Sequence, residues 1–184
     1  MRYILFNKPY DTLSQFTDEG TGHSTLKQFI DVPNVYAAGR LDRDSEGLLL
    51  LTDDGALIKG LTDPKHHIEK TYYVLVEGDP TSEKLKQLSA GVQIKDYFTK
   101  PAKVRSIPDP NLPPRPKPVT PHGPVSWLEI KLREGKKRQI RHMTAAVGLF
   151  TLRIFRVAIG GLQLGNLQVG TWRDLTSTEL KLLK

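Results

Sequence analysis

Cysteine is missing from all 184 positions, which excludes disulfides, thiolate metal sites and cysteine nucleophiles. Long apolar runs are missing as well. Nothing approaches the ~20 residues of a membrane-spanning helix, and the apolar opening is cut by Asn7-Lys8-Pro9, too early for a secretory signal. A cytoplasmic chain is the expectation. No glycine-rich phosphate fingerprint of Walker or Rossmann type is present, so no nucleotide cofactor is expected. There is no His-Glu-x-x-His spacing and no calcium-loop pattern. The acids Asp42, Asp44, Glu46, Asp53 and Asp54 do cluster, but Arg40 and Arg43 lie among them and would repel a divalent cation. His66 and His67 follow Lys65 in what reads as a solvated loop. Neither a metal nor a cofactor is predicted.

What is present is positive charge, and it is localised. The chain carries a net +7. Residues 131–156 hold eight basic side chains (Lys131, Arg133, Lys136, Lys137, Arg138, Arg141, Arg153, Arg156) against Glu134 alone, so this segment carries the entire excess and the remaining 19 basic and 19 acidic residues balance. Charge gathered in this way points to a polyanionic partner contacted by one face, whereas a diffuse surface would say little. The length and the 38% hydrophobic content fit one globular domain with a substantial core.

The stretch from Ala38 to Thr52 organises the chain. Leu48 to Leu51 running into Thr52 read as a strand buried on both faces, since a half-exposed strand would alternate. The preceding loop is the reverse, crowded with Arg40, Asp42, Arg43, Asp44, Ser45 and Glu46 between Gly39 and Gly47. A charged loop tied to an immobile strand holds a reactive group rigid yet accessible. Strands are predicted at 2–6, 35–37, 70–77, 100–107, 125–132 and 151–159. Helices are predicted at 25–30 with Ser24 as cap, after Asp53 or Asp54 to Leu61, from Asp79-Pro80 to Ala90, from Gly135–Arg138 to Val147, and after the capping-box spacing Thr176-Ser177-Thr178-Glu179. Eight of thirteen prolines fall in 108–124, an extended loop without periodicity. Strands outnumber helices without alternating one for one, so the fold class is α+β with a mixed, largely antiparallel sheet and flanking helices.

On the helix containing Gln139, Ile140, Met143 and Val147 share the buried face, while Arg138, Arg141, His142 and Ala145 share the other. A helix opening on Lys136-Lys137-Arg138 would also aim its first amides at anions. Arg141 is a candidate partner for a carboxylate or phosphate. Tyr72 and Tyr73 point to opposite faces of their strand, so at most one lines a given pocket.

These residues carry a resemblance. Gly39-Arg40-Leu41-Asp42, with Ser45 and Gly47 to Thr52, is similar to the motif around the catalytic aspartate of the RNA pseudouridine synthases, most closely their ribosomal small-subunit (Rsu) branch. Phe6-Asn7-Lys8-Pro9, Lys70-Thr71-Tyr72, and the run from Glu134 to Met143 resemble the branch's opening, tyrosine-bearing and arginine-bearing motifs in order and spacing. Ser45 stands at a frequent threonine, and His142 at a frequent arginine, which removes one certain charge. Asn7 to Asp11, Gln15 to Glu19 and the expected lack of an N-terminal S4-type domain are similar to branch members acting on large-subunit (23S) ribosomal RNA. The resemblance implies a single catalytic domain with two subdomains around an RNA-binding cleft, acting as a monomer on 23S rRNA without a cofactor. It implies Asp42 as nucleophile, Arg141 as its partner and Tyr72 as a stacking ring. Arg40, Arg43, Lys136, Lys137, Arg138, His142 and Arg156 would then contact RNA. A passive, RNA-binding ribosome-assembly factor is the alternative.

Overall fold

The computed structural model describes residues 1–183. In chain order the elements begin with β1 (Tyr3–Lys8), a 3-10 turn (Leu26–Gln28), β2 (Tyr36–Ala37), β3 (Glu46–Thr52) and α1 (Gly55–Thr62). Next come β4 (Lys70–Glu77), α2 (Ser82–Ala90), β5 (Gln93–Ile94), β6 (Tyr97–Phe98), β7 (Lys103–Ile107) and β8 (Val125–Leu132). The chain then forms α3 (Gln139–Ala146), β9 (Phe150–Ile159), β10 (Leu162–Gln163), β11 (Trp172–Asp174) and α4 (Ser177–Lys181). This is an α+β protein. Its described residues form two compact units, one from residues 1–68 with 156–183 and one from residues 69–155. Among the described residues no helix is long and apolar enough to cross a membrane, and no group of three acidic or histidine side chains could hold a metal ion.

The first unit is built on β3, all seven residues of which are buried. β1 pairs with it antiparallel from Tyr3 opposite Thr52 to Lys8 opposite Gly47, and β2 pairs with it through Tyr36 and Ala37. β11 lies on the other edge of β1. A strand with neighbours on both edges and apolar cover on both faces needs no alternation, which is why the leucine run is uniform. Ile4, Leu5, Phe6 and Leu48 to Leu51 are fully inaccessible. β1 runs further than its apolar residues suggest, because Asn7 and Lys8 still pair with Leu48 and Gly47.

The second unit carries an antiparallel sheet in which β8, last of the three in the chain, lies between β4 and β7. Val74, Val76, Leu128, Ile130 and Leu132 from this sheet pack with Leu88 of α2 and with Ile140, Met143 and Val147, the apolar stripe of α3. No regular element forms across 108–124.

Several boundaries depart from the sequence expectation, each for a local reason. Thr25, not Ser24, caps the turn at 26–28, its side chain accepting from Lys27 N while Gln28 reaches back to its N–H. Thr81 rather than Asp79 caps α2, leaving Pro80 outside the helix. β7 starts at Lys103, two residues past Pro101, which has no N–H to donate to a ladder. The β5–β6 hairpin turns at Lys95, in the left-handed region at φ +49°. Strands of two residues leave no period to read. Finally, α3 begins at Gln139, because Arg138 adopts φ +54° and interrupts the helical path. The basic residues 136–138 therefore precede the helix rather than form its first turn.

Candidate active site

The residues predicted to carry chemistry fall in both units, and each unit holds its share by a distinct device. In the first, the backbone from Gly39 to Arg43 is gripped group by group. Ala38 N donates to Leu50 O at 2.8 Å, attaching the loop to β3. The Ser14 hydroxyl donates to Leu41 O at 2.7 Å and accepts from Leu41 N at 3.1 Å. Ser45 N donates to Asp42 O at 3.0 Å, closing a tight turn around the aspartate. Arg43 O accepts from Thr12 N at 3.3 Å and from Lys8 Nζ at 3.2 Å. Asp42 itself is half-exposed, while Leu41 and Ser45 on either side of it are buried.

Lys8 is fully buried. Its ammonium donates to Pro9 O, Thr12 O and Arg43 O at 2.9, 2.6 and 3.2 Å. Burial drives its pKa down to about 7, and the nearby carboxylates, Glu46 foremost and then Asp44, Asp11 and Asp42, only partly offset this. A lysine inside the strand motif is a place where sequence reasoning fails, because nothing in Asn7-Lys8-Pro9 separates a buried lysine from a solvated one.

Arg40 and Arg43 are exposed. The Arg40 guanidinium donates to Gln15 Oε1 at 2.7 Å; that of Arg43 lies 3.4 Å from Asp11 Oδ1 and within hydrogen-bond reach of the His23 ring. Arg156 corrects the sequence expectation. It is 2% exposed, and its Nε and Nη2 donate to Leu48 O at 2.8 Å and Gly39 O at 3.2 Å. A guanidinium buried against two carbonyls braces the loop and does not reach a phosphate.

In the second unit, Tyr72 is half-buried on β4, packed against the apolar core. Arg141 is half-buried on α3, and its Nη1 lies 3.4 Å from Thr151 O. Lys136 and Lys137 are exposed; Arg138 and His142 are half-exposed. The segment that carries these basic residues is pinned by a polar network. Gln139 Oε1 accepts from Lys136 N at 3.0 Å, and Gln139 Nε2 donates to Glu134 Oε1 at 2.8 Å. Glu134 also accepts from Lys100 N at 2.8 Å and from the Tyr97 hydroxyl. Its carboxylate raises the Tyr97 pKa. The Lys136 ammonium sits 4.4 Å from the centre of the Tyr97 ring, a cation–π contact. Glu134, the one acid of the basic segment, thus holds the cations in place rather than opposing them.

An acidic residue in a braced, half-exposed turn and a displayed basic segment accompany a recognised family. The chain belongs to the RNA pseudouridylate synthase family, whose model matches residues 2–146. It is 53% identical over 177 residues to the ribosomal large subunit pseudouridine synthase E of Vibrio vulnificus, covering 95% of this chain and 75% of that one. The like-named protein of Xanthomonas campestris is 55% identical over 174 residues, covering 92% and 93%. A solved pseudouridylate synthase, 31% identical, superposes on the whole chain and 74% of its own with a TM-score of 0.84.

Proposed function

We propose that this protein isomerises uridine to pseudouridine in large-subunit (23S) ribosomal RNA, with Asp42 as the nucleophile. The observation that carries the substrate is the 51–55% identity to relatives named large subunit pseudouridine synthase E, spanning 88–95% of this chain. The reaction breaks the bond from the ribose to N1 of the base and remakes it to C5, with a proton lost from C5 and one gained at N1. Nothing is oxidised and no group is transferred to water. The chemistry needs an ionised carboxylate held against the nucleoside while the base is released and turned.

Asp42 suits that role. Its flanking peptides are fixed by Ser14, Ser45, Thr12 and Lys8, while its side chain stays half-exposed. Arg141 is the proposed guanidinium partner that keeps the carboxylate ionised and oriented. Tyr72 offers a ring for the extruded base, a stacking contact worth roughly 1–3 kcal/mol against the few kcal/mol that extrusion costs. Lys136, Lys137, Arg138 and His142, with Arg40 and Arg43, supply the cationic surface for the RNA backbone. The chain works as a monomer and uses no nucleotide cofactor.

The test is to incubate the protein with unmodified 23S rRNA transcript and map pseudouridine by adduct-dependent primer extension. Conversion at a discrete position is the expected result. Tight binding without conversion anywhere in the transcript would favour the assembly-factor alternative.

A further inference from the structure

Three buried polar side chains from outside the Asp42 loop grip its backbone, and they do not grip it alike. Lys8 and Arg156 each reach one loop carbonyl at the ends of the stretch, Arg43 O and Gly39 O. Ser14, 3% exposed, takes both backbone groups of one residue, Leu41, and that residue immediately precedes Asp42. A single hydroxyl donating to the carbonyl and accepting from the amide leaves the Leu41 peptides no rotation that keeps both bonds. Ser14 is in turn seated by its own segment, where Leu13 N donates to Ser24 O at 2.9 Å and Thr12 N to Arg43 O at 3.3 Å.

We propose that Ser14 is a positioning residue for Asp42, setting the point at which the aspartate side chain leaves the backbone. The statement rests on Asp42 being the nucleophile. Its physical basis is the steep dependence of a displacement step on approach geometry, where an ångström of misplacement costs on the order of a hundredfold in rate. Nothing in the sequence marks Ser14 out; it is one hydroxyl in a polar stretch, and only its burial against Leu41 reveals it.

The experiment uses the full chain and a 23S rRNA fragment containing the modified site, under single-turnover conditions with saturating enzyme. Ser14→Ala removes the hydroxyl; Ser14→Cys keeps the volume but donates poorly. Both are expected to slow isomerisation 10- to 100-fold while the RNA dissociation constant stays within twofold of the parent. Thr52→Val is the control. Thr52 is fully buried at the far end of β3, its hydroxyl donates to Arg2 O at 2.6 Å, and its loss is expected to lower thermal stability but not the rate. Parent-like rates in the Ser14 variants, or equal slowing in Thr52→Val, overturn the proposal. Asp42→Asn run alongside separates the two claims. An active Asn variant sinks the nucleophile assignment itself, whereas an inactive one beside a parent-like Ser14→Ala sinks only the positioning role.

Discussion

The ammonium of Lys8 lies 3.2 Å from the backbone carbonyl of Arg43, one residue past Asp42, and bonds two further carbonyls within a site closed to solvent. A charge buried to hold a loop makes the loop's stability depend on pH. The folded protein releases the Lys8 proton near pH 7, while the unfolded chain keeps it to its ordinary value of about 10.5. Between those values unfolding takes up a proton, so this group's contribution to stability rises with pH and is flat below about 7. Urea unfolding of the parent and of Lys8→Met at pH 6, 7.5 and 9 checks this. The stability difference is expected to shift in favour of the parent as pH increases; a difference that is constant or moves the other way contradicts it.

Lower pH acts in the same sense, but in a more acidic window, at the other end of the chain. The Glu179 carboxylate accepts from Arg173 Nη1 and Nη2 at 2.9 and 2.6 Å and from Thr176 N at 2.9 Å, and these bonds, led by the arginine, lower its pKa to about 2. A depressed carboxylate adds stability above its unfolded pKa near 4.5 and loses it as pH falls toward about 2. Glu179→Gln is expected to cost about 1 kcal/mol at neutral pH, the scale of a missing cap. Thermal melts of both proteins should converge between pH 4.5 and pH 2.

Gly91 marks a place where backbone leaves no room. It ends α2 at φ +106°, and an added Cβ would lie 2.3 Å from Thr99 O. Gly91→Ala combines an unfavourable dihedral with a collision against a peptide oxygen, so a loss of about 2–3 kcal/mol is expected in denaturant titrations. A variant as stable as the parent would mean that the turn between α2 and the β5–β6 hairpin is differently built.

Lys136 and Lys137 are exposed, and neither is placed in the chemistry. Replacing both by Ala should weaken RNA binding by a similar factor across sequences. It should also flatten the plot of log affinity against log salt by roughly 0.7 to 1 for each phosphate that is no longer neutralised. The rate at saturating RNA should be kept. Filter binding across a salt series, paired with single-turnover rates, reads both; an unchanged slope would remove these lysines from the RNA surface.

Much of this architecture was legible without coordinates where one force dominates locally. The β-branched and aromatic run of β4 and the alternation along β8 each define their strand from end to end, and the uniform leucines define β3 from Leu48 to Thr52 but miss its first two residues, Glu46 and Gly47. The Thr176–Glu179 box defines α4. The misses share a cause, since they depend on partners distant in sequence or on a single dihedral. Arg156 looks like one more cation in a basic segment, yet Leu48 O and Gly39 O, more than a hundred positions earlier, draw it inside. Arg138 continues a helical pattern, yet its left-handed backbone sets the start of α3. The Asp42 motif stood out because its glycines, charges and leucines are contiguous. The residues that hold it, Lys8 and Ser14, are not.

The most direct measurement is the single-turnover rate of Asp42→Asn on 23S rRNA. The amide preserves size and leaves the backbone bonds to Leu41, Asp42 and Arg43 available, so fold and RNA affinity should be retained. The account predicts no detectable pseudouridine from a variant that binds RNA as tightly as the parent. Conversion at the parental rate would contradict it.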